Sequence, residues 1–309
     1  MKTAFIFSGQ GAQYSGMGKE LFDQEKIVRE TFQEASEVLG YDMAELCFTE
    51  NDKINETIYT QPAILTVSIA IYRLLQSKGY QPDVVAGLSL GEYSALVSSG
   101  AISFKDAVQL VAKRGKFMAE AAPTGTGKMV AVMNAERSLI EKCCQEASIL
   151  GIVSPANYNT PQQIVIGGEI PAVDRAVELL TEAGVKRMIP LKVSGPFHTA
   201  LLKPASEKLA IELEKVDFAE MTIPVISNTT AQVMEQGDIK ELLEKQVMSA
   251  VRFADSIETI KKMNVDAIIE VGPGKTLTGF IKKIDKEIET ARVEDKKTLS
   301  ETEALLNGR

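Results

Sequence analysis

Short apolar runs alternate along the chain with longer segments of helical period. Residues 3–7, 83–87, 223–227 and 267–271 are strings of apolar and β-branched positions that read as buried strands. Glycine-containing turns follow the first and the last. Between them, residues 55–77, 104–121, 200–216 and 253–263 repeat apolar positions at helical spacing. Strand, loop, helix, strand is the order that builds a parallel sheet covered on both faces.

The middle of the chain has another texture. Residues 128–133 read as a strand and 135–145 as a helix. Residues 152–157 and 162–166 follow as a hairpin, with Tyr158-Asn159-Thr160-Pro161 as its turn. Residues 171–183 form a helix and 186–190 a strand. This β-α-β-β-α-β order is the ferredoxin-like signature. It predicts a small domain at residues 126–192 inserted into a larger one made of residues 1–125 and 193–309. The stretch Pro123-Thr124-Gly125-Thr126-Gly127 serves as its hinge. The tail beyond Ile281 is highly charged and is expected to end in a surface helix over 298–306.

Composition narrows the class. With 309 residues, 45% of them hydrophobic and 25% charged, the chain has the balance of a folded globular protein. A net charge of −8 argues against a broad nucleic-acid surface. The apolar start, residues 3–7, meets Gly9-Gln10-Gly11 too soon for a secretion signal. No apolar run approaches the roughly 20 residues that span a bilayer, so a soluble cytoplasmic protein is expected. Cys47, Cys143 and Cys144 have no metal-type spacing and read as reduced thiols. The sequence has 1 histidine, which argues against zinc, and no metal site is expected.

Four stretches carry candidate chemistry. Gly87-Leu88-Ser89-Leu90-Gly91 follows an apolar strand and precedes a helix, the setting of a nucleophile elbow. Glycines on either side let the chain reverse and hold Ser89 in a strained conformation. The following helix then points its free N–H groups at the serine oxygen. A serine that merely caps that helix is the other reading. The sole histidine, His198, lies in the loop Gly195-Pro196-Phe197-His198 and is the one neutral-pH base available to such a serine; a satisfied core histidine is the alternative. Ser8-Gly9-Gln10-Gly11 fails the dinucleotide fingerprint, because the sixth position counted from Gly9 is Tyr14. It suits a loop offering a backbone N–H to an oxyanion. Gly272-Pro273-Gly274-Lys275-Thr276 and Gly125-Thr126-Gly127-Lys128 end like phosphate loops, but their required first glycines fall on Ile269 and Ala122. Arg114, in Lys113-Arg114-Gly115-Lys116, reads by its neighbours as part of a solvated cationic face.

Together these pieces resemble the malonyl-CoA:acyl-carrier-protein transacylase family of bacterial type II fatty acid synthesis. Phe7-Ser8-Gly9-Gln10-Gly11, Thr60-Gln61-Pro62-Ala63, Gly87-Leu88-Ser89-Leu90-Gly91-Glu92, Arg114-Gly115-Lys116, Gly195-Pro196-Phe197-His198 and Gly272-Pro273-Gly274-Lys275 run in family order over nearly the whole chain. The resemblance implies an α/β-hydrolase-like large domain with the ferredoxin-like insert. It implies an acylated Ser89 with His198 as its base, and an oxyanion hole from the backbone N–H groups of Gln10 and Leu90. Arg114 matches an arginine that clamps the malonyl carboxylate, and Gln246 a glutamine whose main chain orients the histidine. The family usually has histidine where this chain has Leu88.

The implied reaction moves a malonyl group from malonyl-CoA to the phosphopantetheine thiol of acyl carrier protein by a ping-pong route, with no cofactor. Lys186, Arg187, Lys275, Lys282 and Lys283 are candidates for a local basic patch that docks the carrier protein, and Phe197 for a wall of a tight acyl pocket. Two other classes remain: a serine hydrolase or thioesterase, and a non-catalytic carrier-protein-binding module. The hydrolase order usually places an acidic residue between serine and a histidine near the end of the fold. No Asp-bearing loop stands out here.

Overall fold

The computed structural model describes residues 1–193 and 195–308. Ser194, beside the histidine loop, and the terminal Arg309 lie outside the described residues. The strands are β1 Thr3–Phe7, β2 Val84–Gly87, β3 Lys128–Met133, β4 Val153–Thr160, β5 Gln163–Gly168, β6 Arg187–Pro190, β7 Ala267–Val271 and β8 Glu289–Val293. The helices are α1 Lys19–Gln24, α2 Lys26–Leu39, α3 Met43–Phe48, α4 Thr57–Ser77, α5 Gly91–Ser98, α6 Phe104–Ala121, α7 Arg137–Ala147, α8 Ile170–Glu182, α9 Lys203–Glu214, α10 Ile239–Gln246, α11 Phe253–Lys262, α12 Thr276–Ile284 and α13 Lys296–Leu306.

The protein is a mixed α/β fold with one parallel and one antiparallel sheet. The parallel sheet has the order β2-β1-β7-β8. Its first three strands are buried along their length, as expected when helices cover both faces. Phe5 and Phe7 point into a core shared with α2, α4, α5 and α6, while Ala4 and Ile6 pack on the other side with residues of α11 and α12. Phe7 is level with Gly87 on one side and Val271 on the other. The loops that leave β1, β2 and β7 therefore emerge together at the carboxyl edge, where open α/β sheets bind ligands.

The antiparallel sheet has the order β4-β5-β3-β6. Alternation along β3 divides its two faces. Val130 and Val132 pack beneath α7 and α8, whereas Met129 and Ala131 join Ala156 and Val165 on the opposite face. Arg137 of α7 ties this unit to α11 through a two-pronged ion pair with Asp255, Nη1 to Oδ1 at 3.1 Å and Nη2 to Oδ2 at 2.9 Å.

Several expectations need correction. Residues 223–227 do not form a sheet strand: they make single bridges from Val225 to Val85 and from Ile226 to Val233. The Pro224 carbonyl accepts from Val85 N, but proline has no N–H to donate in return, so the ladder does not extend past it. The charged tail contains β8, a parallel partner of β7. Its exposed first residue and half-buried middle hid it from an apolar-run reading. The helix expected over 200–216 begins as a 3-10 turn, Ala200–Leu202, before α9. The hairpin turn is tighter than expected, because β4 runs through Thr160. Finally, α4 is long and apolar enough to cross a membrane by length and composition, contrary to the expectation that no run is. Within the fold 83% of its apolar window is buried, and it serves as the core helix beneath β1 and α6.

Candidate active site

Ser89 ends the turn after β2 with φ 56, the left-handed region that non-glycine residues seldom occupy. Two features hold it there. An ideal Cβ on Gly91 would lie 2.1 Å from the Phe7 carbonyl oxygen, so only glycine lets α5 start this close to β1. Asn228, in the loop after the interrupted strand, spans the turn. Its Oδ1 accepts from Ser89 N at 2.7 Å, and its Nδ2 donates to the Gly87 carbonyl at 2.6 Å.

His198 approaches from the loop before α9, also in the left-handed region at φ 62. The Ser89 hydroxyl and His198 Nε2 are 2.7 Å apart. The second ring nitrogen, Nδ1, lies 2.8 Å from the Gln246 carbonyl oxygen. A carbonyl only accepts, so Nδ1 carries the proton and Nε2 is left to accept from the serine. The histidine is oriented by a main-chain carbonyl rather than by an acid. At 5% exposure it is buried. Burial, reinforced by the nearby Arg114 charge, pushes its pKa down to about 4, against the opposing main-chain bonds from Gln246 and Ser249. The ring is neutral at ordinary pH.

Arg114 corrects the reading made from its neighbours. It is 1% exposed, on the inward face of α6 with Leu110, Val111 and Met118. Its Nη1 donates to Gln61 Oε1 at 2.8 Å, and its Nη2 donates to Gln246 Oε1 at 2.8 Å and to Ser89 Oγ at 3.2 Å. The Tyr93 ring lies beneath it, 5.3 Å from the guanidinium carbon. Burial lowers its pKa from the usual arginine value, partly offset by Tyr93 and Glu92. Its direct hydrogen-bond partners are neutral, so a fully buried cation stands without a touching carboxylate among the described residues. Such a charge is costly unless an anion meets it.

Gln10 and Leu90 flank the same turn. An ideal Cβ on Gly9 would fall 2.3 Å from the Leu88 carbonyl oxygen, which brings the Gln10 loop against the serine turn. Among the described residues, neither the Gln10 nor the Leu90 backbone N–H has an acceptor. The Gln10 side chain donates to Thr57 Oγ1 at 3.0 Å.

The structure thus brings Ser89, His198, Arg114, Gln246, Gln10 and Leu90 to one place. Three residues there were not singled out from the sequence: Glu92, Asn228 and Gln61, all buried. Glu92 and Gln61 stood inside quoted motifs, and polar side chains in otherwise buried helices were the available signal. A cleft of about 730 Å³ opens above Ser89 and His198, between the carboxyl edge of the parallel sheet and the Met129 face of the antiparallel one. Leu88, Met118, Phe197 and Asn159 are among its walls, so Leu88 adds an apolar surface beside the serine. No cluster of metal-ligating side chains occurs among the described residues.

Comparison with known proteins adds five findings. The acyl transferase domain family matches residues 4–300. The malonyl CoA-acyl carrier protein transacylase of Bacillus subtilis (strain 168) is 46% identical over 301 residues, covering 96% of this chain and 95% of its own. That of Escherichia coli (strain K12) is 47% identical over 286 residues, covering 91% and 92%. Among solved structures, MCAT from Streptococcus pneumoniae superposes with a TM-score of 0.97 at 62% identity, with both chains covered 100%. A malonyl-transacylase in complex with its type II PKS acyl-carrier protein gives 0.95 at 42% identity, again covering 100% of each chain.

Proposed function

The chain belongs to the malonyl-CoA:acyl-carrier-protein transacylase family, and from that premise we propose that it moves malonyl from malonyl-CoA to the phosphopantetheine thiol of acyl carrier protein through an ester on Ser89. The observation that carries this reading is the buried Arg114, 3.2 Å from the Ser89 hydroxyl and paired with neutral amides. A general esterase has no use for a buried guanidinium beside its nucleophile that no carboxylate touches. An acyl group ending in a carboxylate supplies the missing charge in bidentate geometry.

The steps follow from the geometry. His198 Nε2 takes the Ser89 proton as the oxygen attacks the thioester carbonyl. The N–H groups of Gln10 and Leu90 receive the negative oxygen of the tetrahedral intermediate, each donor contributing roughly 3 kcal/mol in comparable sites. Collapse breaks the C–S bond, and CoA leaves as a thiol with the proton from His198. The carrier thiol then repeats the sequence in reverse, giving ping-pong kinetics. Every proton and electron pair is accounted for between Ser89, His198 and the two thiols, so the reaction as written calls for no cofactor and no metal.

In the same reading the large body, residues 1–125 and 193–309, is α/β-hydrolase-like and residues 126–192 form a ferredoxin-like insert, supported by the order β3-α7-β4-β5-α8-β6. The exposed Lys186, Arg187, Lys275, Lys282 and Lys283 supply local positive charge for an acidic carrier protein on a chain of net charge −8. The cytoplasm, where free thiols persist, is the compartment this chemistry implies.

Intact-mass measurement after mixing with malonyl-CoA tests the function. A stable malonyl adduct, absent in Ser89→Ala and discharged by holo carrier protein, is expected. Rapid loss of the adduct to water would mean a hydrolase, and no adduct would mean a carrier-binding module.

A further inference from the structure

Behind the reacting groups lies a fully buried carboxylate that the mechanism does not use. Glu92 lies in the first turn of α5, three residues after the nucleophile, and is 1% exposed. Its Oε1 accepts from Asn228 N at 2.9 Å, and its Oε2 accepts from Gln246 Nε2 at 2.5 Å. Those two partners are the braces of the site. Asn228 holds Gly87 O and Ser89 N, the two sides of the strained turn. Gln246 accepts from Arg114 through Oε1, donates to Ser89 O through Nε2, and accepts from His198 Nδ1 through its main-chain carbonyl.

We propose that Glu92 is a positioning residue for malonyl transfer: one carboxylate that fixes the Asn228 brace with one oxygen and the Gln246 amide with the other, so that nucleophile, base and arginine share one geometry. An ionised carboxylate offers acceptors only, and both neighbours present donors, so the pair of bonds defines which way the Gln246 amide faces. With Nε2 turned to Glu92, Oε1 is turned to Arg114. Were the amide reversed, its NH2 would meet the guanidinium and its oxygen would meet Ser89 O, and three bonds would be lost together. Burial works against the charged form and pushes the Glu92 pKa up to about 7, while Asn228, Gln246 and the Arg114 charge pull it back. Arg114 and Tyr93 are the other titratable groups in this pocket, and the neutral His198 joins it through Gln246.

The inference rests on the transacylase reading, and wild-type enzyme run alongside separates the two. Glu92→Gln has one acceptor and one donor end, so in either orientation one of the two bonds becomes donor against donor. The assay compares acyl-enzyme formation from malonyl-CoA and from acetyl-CoA, with ring-nitrogen NMR of His198, the chain's single histidine. In Glu92→Gln the malonyl-over-acetyl ratio is expected to fall at least about tenfold, the weight of one charge-assisted hydrogen bond to the clamp, and the His198 ring resonances to shift. A role confined to packing would move thermal stability but neither readout. If Glu92→Gln does not fold, Glu92→Asp keeps the charge with a shorter reach and should lower the same ratio severalfold. A folded variant with wild-type ratio and wild-type His198 resonances overturns the proposal. A wild-type enzyme that forms no malonyl adduct overturns the transacylase reading and the proposal with it.

Discussion

Arg114 Nη2 donates to the Ser89 hydroxyl oxygen across 3.2 Å. A cation so close favours loss of the serine proton and disfavours its arrival on the neighbouring imidazole. A substrate carboxylate that neutralises Arg114 removes the second penalty. On the proposed reading, recognition of the acyl group and strength of the base are coupled through one guanidinium.

Replacing that guanidinium should change what the enzyme accepts. Arg114→Ala is expected to lower kcat/KM for malonyl-CoA about a hundredfold or more, the value of two charge-assisted hydrogen bonds. Acetyl transfer should be kept or should rise, since acetyl leaves the buried arginine unpaired. Steady-state kinetics with both thioesters decide it, and equal losses would remove Arg114 from the specificity argument.

The pH profile should carry the same coupling. His198 is held at about 4 by burial and then by Arg114, so the acid limb of kcat/KM, which reports free enzyme, should fall near pH 4. In the malonyl complex the carboxylate cancels the Arg114 charge, so the acid limb of kcat should lie higher. Arg114→Ala should raise the free-enzyme limb. A limb near 6.5 in wild-type free enzyme would contradict the burial of the base.

Glu92 gives stability a pH signature of the opposite sign to that of His198. A carboxyl raised to about 7 from its ordinary 4.5 binds its proton more tightly in the folded state, so its contribution declines as pH rises from 4.5 to 7. A histidine lowered to about 4 from 6.5 loses stability as pH falls through that window. Removing the first should unmask the second. Measured by denaturant titration, the stability of Glu92→Gln relative to wild type should rise with pH between 4.5 and 7, by at most about 1.4 kcal/mol per pH unit. A pH-independent difference would mean that Glu92 keeps an ordinary pKa.

The serine turn should tolerate no methyl group at Gly91. Its ideal Cβ meets the Phe7 carbonyl at 2.1 Å, and backbone on both sides cannot give way. Gly91→Ala should cost about 3 kcal/mol or more and abolish acylation in whatever fraction folds. Thermal melting and adduct mass report the two effects, and a stable, active variant would show that the turn has slack.

The serine turn and the histidine that meets it were legible because each has a local signature. Glycines at the right spacing after an apolar strand announce the turn, and a sole histidine narrows the choice of base. The burial of Arg114 was legible too, through a signal easily passed over. It occupies an inward position of α6 in register with Leu110, Val111 and Met118, where a solvated charge does not belong. Gln246 likewise shares the buried face of α10 with Ile239 and Leu243. Asn228 could not be read this way. Its importance depends on Val225 and Ile226 lying against Val85 of β2, which brings the loop after them to the serine turn, a tertiary fact with no periodicity. The edge strand β8 was hidden because its alternation is mostly polar.

All three cysteines, Cys47, Cys143 and Cys144, are unpaired and buried. Burial pushes Cys47 and Cys144 up to about 12 and raises Cys143 as well. For a protein that hands acyl groups from one thiol to another, this amounts to insulation. Its own sulfurs stay protonated and out of reach, so no internal thioester would compete with the incoming carrier for an acyl group held, as proposed, on Ser89.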